Sequence, residues 1–115
     1  NILSGKDFLV NIKPAFITRS NDNSFLFLKE MSNCKVFCEF FEDNNNNVIN
    51  FKTLDIQDKK LSNVKFTLKQ SSNIILEKYT NSNGYTDSFE IKNGDYIIDI
   101  NKNDINIGNI KINIS

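Results

Sequence analysis

Apolar and polar residues alternate along most of this chain, in short runs separated by Asn, Asp, Gly and Ser. Residues 64–69 show the pattern most clearly, because the apolar residues Val64, Phe66 and Leu68 occupy every second position. A period of two is typical of β-strands with one buried face. No long amphipathic helix is visible. The sequence predicts ten strands, at residues 7–13, 15–19, 24–30, 35–42, 48–54, 64–69, 74–79, 86–91, 95–100 and 107–114.

Turn-forming residues separate these runs. Asn83-Gly84 and Asn93-Gly94 are predicted tight hairpin turns, because both residue types tolerate positive φ. Pro14 interrupts the first apolar region, since it cannot donate to a strand ladder. The four consecutive Asn residues at 44–47 predict a boundary or a flexible loop. Short strands at this regular spacing predict a β-sandwich or a β-barrel.

Composition and charge narrow the class of protein. The 115 residues fit one modest core, and 39% hydrophobic with 24% charged residues is an ordinary globular balance. The 14 basic and 14 acidic residues give a net charge of zero, so nucleic acid is not an expected partner. The 20 Asn and 16 Ile residues are typical of an AT-rich genome. No run reaches the roughly 18 apolar residues of a membrane span, and none is expected.

The residue types argue against an enzyme. The chain has no His, which excludes a Ser-His-Asp or Cys-His nucleophile and zinc binding by His. No phosphate-binding glycine motif is present, and no cofactor is expected. Glu39, Glu42 and Asp43 lie close in sequence and carry carboxylates suited to acid–base chemistry, but no substrate cleft is indicated beside them.

Cys34 and Cys38 are the two cysteines. On one strand their Cα atoms would lie about 13 Å apart, at roughly 3.3 Å per residue. A disulfide needs Cα atoms within about 7 Å, so a direct bond between them requires a bend. Three interpretations stay open: two small half-buried apolar side chains, a pair of inter-subunit disulfides, or a local bridge across a bulge.

Residues 99–104 carry oxygen ligands at alternate positions, as calcium loops do. The candidate ligands are Asp99, Asn101, Asn103 and Asp104. The segment lacks the Gly that turns an EF-hand loop, and Lys102 adds an opposing charge. A solvated loop between strands is the alternative.

The first 41 residues hold seven of the ten Phe residues. These are Phe8, Phe16, Phe25, Phe27, Phe37, Phe40 and Phe41. An aromatic core accounts for most of them. Phe40 and Phe41, however, must point to opposite faces of one strand, so one ring needs cover outside the core. This pattern predicts a contact with another subunit.

The second half of the chain resembles the prealbumin-like repeat of bacterial surface and pilus proteins, the Cna-B or SpaA type. The resemblance covers roughly the last 65 to 70 residues. It rests on five motifs: FKTLD at 51–55, LSNVKFTL at 61–68, TNSNGY at 80–85, FEI at 89–91 and GDYII at 94–98. The first 46 residues have no counterpart in that family.

That resemblance implies a rigid module of pili, adhesin stalks or other surface fibres. Many members of the family carry a Lys–Asn isopeptide bond, which needs a buried, neutral Lys and a protonated acid. Lys52 matches the Lys position and Asn113 is the candidate Asn. Where the family has its acid this chain has Ile100, and Asp99 should face away, so Glu90 is the candidate acid. An unmodified surface Lys52 and Asn113 are the alternative.

The sequence therefore predicts an all-β fold, a prealbumin-like or Ig-like β-sandwich with additional N-terminal strands. Residues 1–46 form a Phe-rich strand region and residues 47–115 the prealbumin-like sandwich, or the two form one continuous domain. The predicted function is a non-enzymatic structural or adhesive module of a surface-displayed fibre, pilus or appendage. Its expected partners are other copies or other surface proteins, and its expected location is extracellular or at the cell surface. The alternative is a soluble β-sandwich module that recognises carbohydrate or protein through its loops.

Overall fold

The computed structural model describes residues 9–12 and 25–115, most of which lie in nine β-strands. The strands are β1 (Leu9–Ile12), β2 (Leu26–Met31), β3 (Cys34–Asp43), β4 (Asn46–Asp55), β5 (Val64–Gln70), β6 (Asn73–Tyr79), β7 (Phe89–Glu90), β8 (Gly94–Lys102) and β9 (Ile105–Ile114). They correspond to nine of the ten predicted strands; the one predicted at 15–19 lies outside the described residues. Within the described ranges, no helix has the length and apolar character needed to cross a membrane.

The nine strands form two sheets that enclose a common core. One sheet has five strands in the order β1-β9-β8-β5-β6, and the other has four in the order β2-β3-β4-β7. Neighbouring strands are antiparallel except β1, which runs parallel to β9. The predicted all-β sandwich is confirmed, with β1, β2 and β3 as its N-terminal strands.

β3 and β4 join the two halves of the chain in one long hairpin. Their register runs without a break from Cys34 opposite Asp55 to Asp43 opposite Asn46. Asn44 and Asn45 form the turn, and the next two Asn residues belong to β4. Residues on both sides of position 46 therefore share one sheet and one core.

Four hairpins are closed by two-residue turns in which both residues have positive φ. The turn residues are Ser32-Asn33, Asn44-Asn45, Ser71-Ser72 and Asn103-Asp104, with φ between 45° and 70°. Positive φ at both central residues is the requirement of a type I′ turn, whose twist matches that of the flanking strands. Asn and Asp tolerate this conformation better than other non-Gly residues. Part of the Asn content therefore has a structural role in these turns.

The two Asn-Gly pairs, which we expected to close hairpins, do not. Asn83-Gly84 lies in a tight loop over 81–85, where Gly84 donates its N–H to the Asn81 carbonyl at 2.8 Å. Gly84 has φ 83°, and a Cβ there would lie 2.7 Å from the Thr53 carbonyl oxygen, so the loop can press against β4 only without a side chain. Asn93-Gly94 leads from β7 in one sheet to β8 in the other. The hairpin prediction fails at both pairs because the chain changes sheets after β6 and after β7.

The core is made by the inward-facing side chains of both sheets. Phe51 from β4 and Phe66 from β5 stack across it, with ring centroids 4.6 Å apart and planes 8° apart. The other buried apolar residues are Met31, Cys34, Val36, Cys38, Phe40, Ile49, Val64, Leu68, Ile91, Tyr96, Ile98, Ile100, Ile110, Ile112 and Ile114. Phe40 is buried and Phe41 lies on the opposite face of β3, as the alternation predicts.

Buried hydroxyl groups fix the segments that pass between the sheets. The Thr80 hydroxyl donates to the Leu61 carbonyl at 2.8 Å and accepts from the Val64 N–H at 3.0 Å. Tyr96 donates its hydroxyl to the Lys92 carbonyl, four residues upstream, at 2.7 Å. A Tyr that bonds back across the start of its own strand is the tyrosine corner of Greek-key sandwiches. These bonds satisfy backbone groups that the crossings would otherwise leave buried and unpaired.

Candidate functional site

The outer face of the four-stranded sheet carries an unusual group of aromatic side chains. Residues next to each other on a strand point to opposite faces, so the residues between the core positions of β3 and β4 face outward. At one end of this outer face Phe25, Phe27, Phe37 and Tyr85 surround Lys52. We call these five residues the aromatic face. Phe27 is 51% exposed and the other four are half-buried.

Strand register brings these residues together. Phe37 of β3 lies opposite Phe27 of β2 on one side and opposite Lys52 of β4 on the other. Tyr85 pairs with Lys52 through an isolated antiparallel bridge from the loop that follows β6. Phe25 immediately precedes β2 and stacks on Tyr85, with centroids 5.6 Å apart and planes 8° apart. Phe27 and Phe37 meet edge to face at 5.4 Å.

The Lys52 ammonium group lies over three of these rings. Its Nζ is 5.0 Å from the Phe25 centroid, 5.5 Å from Tyr85 and 5.9 Å from Phe37. Each distance is within the roughly 6 Å range of a cation–π contact, which contributes about 0.5–1 kcal/mol at an exposed site. Within the described part of the chain, no carboxylate lies within ion-pair distance of Lys52. Rings rather than a counter-charge therefore hold the ammonium group.

Asn50 is the next outward-facing residue of β4 and has an unsatisfied polar atom. It is only 7% exposed, and among the residues that the structure describes none donates a hydrogen bond to its side-chain oxygen. An unpaired buried polar atom costs about 1–3 kcal/mol. The sheet thus carries, beside the aromatic face, a polar group that no described residue satisfies.

The three residues predicted for an isopeptide bond lie apart. Lys52 is on the outer face of the four-stranded sheet, whereas Asn113 is on β9 of the five-stranded sheet and donates to the Asp95 carboxylate at 2.7 Å. Glu90 is exposed on β7 and accepts a hydrogen bond from Asn46 at 3.3 Å. The core separates the outer faces of the two sheets, so the structure does not bring Lys52 and Asn113 together. Lys52 and Asn113 each lie on an outer face of the sandwich, which is the arrangement that the alternative, an unmodified surface Lys and Asn, describes.

Cys34 and Cys38 are free thiols, fully buried on the inner face of β3. Burial raises the pKa of Cys38 to about 12 and also raises the pKa of Cys34. A thiol becomes nucleophilic only as the thiolate, so the raised pKa values and the burial disfavour reaction of both thiols in the folded chain. An inter-subunit disulfide needs an exposed sulfur, and the structure places neither sulfur at the surface. Both side chains act as small apolar core residues.

The four residues predicted as calcium ligands do not form one loop. Asp99 lies on β8 and forms an ion pair with Lys69 on β5. Asn101 accepts a hydrogen bond from Asn106 at 3.1 Å, while Asn103 and Asp104 form the β8–β9 turn. In the described ranges, no three His, Cys, Asp or Glu residues are grouped as metal ligands would be. The structure brings Asn101, Asn103 and Asp104 to one cleft beside the β8–β9 turn, whereas Asp99 is outside the cleft lining and is paired with Lys69.

Sequence reasoning anticipated only part of the aromatic face. It identified Lys52, although as a candidate for an isopeptide bond. It also predicted a contact with another subunit from the Phe-rich N-terminal region, and Phe25, Phe27 and Phe37 of that region belong to the aromatic face. It did not identify Tyr85, because the docking of residues 81–85 on β4 depends on a change of sheet that periodicity does not reveal. Phe8 and Phe16 lie outside the described residues.

Comparisons of the chain with models of protein families, with curated protein sequences and with solved structures give no match. The fold is thus a β-sandwich whose four-stranded sheet carries the aromatic face, and the prealbumin-like resemblance stays a prediction from its motifs.

Proposed function

We propose that this chain is a non-enzymatic structural or adhesive module of a surface-displayed fibre, pilus or appendage, and that its aromatic face contacts another subunit. The observation that carries the proposal is the placement of four aromatic rings on the outer face of the four-stranded sheet, outside the core. Aromatic side chains with a polar or charged group are the residues that protein interfaces favour.

The energetics of the aromatic face support a contact role. Half-buried and exposed rings gain about 25 cal/mol for each Å² of apolar surface that a partner removes from water. Lys52 is held in position by three rings, so a partner would lose little side-chain entropy in meeting it. The face therefore offers a rigid apolar surface with one fixed positive charge at its centre.

Among the described strands β6 lies at an edge of its sheet, and it is a poorer contact surface although Ile74 there is 58% exposed. Leu68 pairs with Leu76 and Lys69 with Ile74, which leaves Ile75 in a bulge. Glu77 and Lys78 follow along the same edge. Bulges and charges are the usual protection of an edge strand against pairing with another chain.

The remaining parts of the proposal come from the sequence. The non-enzymatic role rests on the chain's lack of His, and the location outside or on the cell rests on the prealbumin-like motifs in its second half. Expected partners are other copies of the chain or other surface proteins.

Sedimentation equilibrium over a concentration series tests the proposal. We expect the wild-type chain to self-associate and Phe27→Ser to weaken the association at least tenfold, which corresponds to a loss of about 1.4 kcal/mol. Because Phe27 is half exposed, its replacement should leave the fold intact, and thermal unfolding checks this. Ile97→Ser, at a 41% exposed position of the other sheet, is the matched control and should associate as the wild type does. A chain that stays monomeric at every concentration would contradict self-assembly.

The alternative function, a soluble module that recognises carbohydrate or protein through its loops, is favoured by one separate observation. A polar cleft lies on the five-stranded sheet, away from the aromatic face.

A further inference from the structure

One end of the five-stranded sheet carries a cleft of ≈ 250 Å³ on its outer face. Its lining residues are Asn63, Lys65, Tyr79, Asn101, Asn103 and Asp104. A drug-sized ligand takes a pocket of about 300–1,000 Å³, so this cleft suits a smaller group such as a single sugar ring.

Strand register builds the floor of the cleft. Lys65 of β5 lies opposite Tyr79 of β6 on one side and opposite Asn101 of β8 on the other. The three side chains therefore form one row across three strands, on the face away from the core. The Tyr79 ring at the end of this row is 57% exposed.

Two turns build the wall of the cleft. Asn103 and Asp104 form the β8–β9 turn, and Asn63 precedes β5; all three have positive φ, at 54°, 64° and 59°. The Asn63 N–H donates to the Thr80 carbonyl at 2.8 Å, which fixes this residue against the sheet. Backbone geometry thus places Asn63, Asn103 and Asp104 at the wall of the cleft.

The polar groups of the cleft are largely unused by the fold. Within the described part of the chain, the side chains of Asn63, Asn103 and Asp104 and the Tyr79 hydroxyl make no hydrogen bond. Asn101 accepts one bond, from Asn106, and Lys65 forms a long ion pair of 3.8 Å with Glu77. The amide groups donate and accept hydrogen bonds, the carboxylate accepts them and the ammonium group donates them. The cleft therefore offers a ligand both hydrogen-bond donors and acceptors.

These groups select one ligand chemistry. An anion would meet the Asp104 carboxylate and a cation the Lys65 ammonium, so a neutral ligand is favoured. The exposed Tyr79 ring offers an apolar surface to the C–H face of a ring. A neutral polyol with one apolar face and several hydroxyl groups matches this set.

We infer that the cleft between Tyr79 and the Asn103-Asp104 turn binds a neutral hexopyranose, as a free sugar or as one residue of a glycan. The sugar ring stacks on Tyr79, and its hydroxyl groups bond to Asn101, Asn103, Asp104 and Lys65. The cleft is separate from the aromatic face, so this inference does not depend on fibre assembly.

Saturation-transfer difference NMR tests the inference with three probes: methyl α-D-glucopyranoside, methyl α-D-mannopyranoside and methyl β-D-galactopyranoside. We expect the wild-type chain to transfer saturation to the ring protons of at least one probe. Tyr79→Ala should reduce that transfer to background, whereas Tyr79→Phe keeps the ring and should retain most of it. Ile97→Ser, on the same face but outside the cleft, is the control and should behave as the wild type.

Two results would overturn the inference. One is the absence of transfer to all three probes from the wild-type chain, and the other is equal transfer from wild type and Tyr79→Ala. Methyl β-D-glucuronide extends the test, because binding of this charged sugar without any neutral one would assign the cleft to anions through Lys65.

Discussion

At the scale of single residues, the interpretation of Lys52 changes once its neighbours in the structure are known. The sequence marks it as a candidate for an isopeptide bond, which needs a Lys surrounded by apolar groups and an acid within reach. In the structure Lys52 is surrounded by aromatic rings on the outer face of the four-stranded sheet. The candidate acid Glu90 accepts a hydrogen bond from Asn46. Tyr85 completes that surrounding and could not be predicted, because its contact with Lys52 comes from a loop docked on another sheet.

The buried thiol of Cys38 gives the fold a pH dependence in the alkaline range. Its pKa is about 12 when folded, raised from 9.0 by burial and, to a smaller extent, by Glu39. The folded chain therefore keeps a proton that the unfolded chain loses, and stability is unaffected below about pH 9 and falls as pH rises towards 12.

Urea unfolding at a series of pH values measures this effect. We expect the free energy of unfolding of the wild type to fall above about pH 9, and that of Cys38→Ala to fall less steeply from a lower starting value. The starting value is lower because the smaller side chain leaves a cavity in the core. Identical pH profiles for the two chains would show that Cys38 is not the group responsible.

At the scale of strands and turns, the alternation of apolar and polar residues was sufficient to place the nine described strands, while the turns were not predictable in the same way. The sequence signals for tight turns are the Asn-Gly pairs, yet Ser71-Ser72 and Asn44-Asn45 close hairpins here and neither Asn-Gly pair does. Ser has no strong preference for positive φ, so the pair Ser71-Ser72 does not indicate a type I′ turn in the sequence. Long-range pairing of β5 with β6 imposes the turn.

That imposed turn is a site where stability can be gained. Ser72 has φ 70°, a conformation that Gly adopts without the steric cost of a Cβ. We expect Ser72→Gly to raise the free energy of unfolding by about 0.5–1 kcal/mol and Ser72→Val to lower it by about 1–2 kcal/mol. Ser62 is exposed and is not among the positive-φ residues, so Ser62→Gly should not stabilise the chain. Chemical denaturation of the three variants checks the expectation, and stabilisation by both Gly substitutions would contradict it.

At the scale of the whole molecule, the two outer faces differ in kind. The five-stranded sheet presents cross-strand pairs such as Lys65 with Glu77 and Asn113 with Asp95, together with the polar cleft. The four-stranded sheet presents the aromatic face. The sequence predicted the sandwich but not this asymmetry, because alternation shows which residues face outward and not which strands lie side by side. Register and strand order, which depend on contacts between distant residues, decide both surfaces.

The most direct test of the account is a dilution series followed by ¹H–¹⁵N correlation spectra, which locates the contact surface residue by residue. We expect the backbone amide signals of Phe27, Phe37 and Tyr85 to shift together as the chain is diluted, and those of Ile97 and Lys111 on the other sheet to stay in place. Shifts confined to the five-stranded sheet or to the edge strand β6, or no shifts at any concentration, would contradict the assignment of the aromatic face as the contact between subunits.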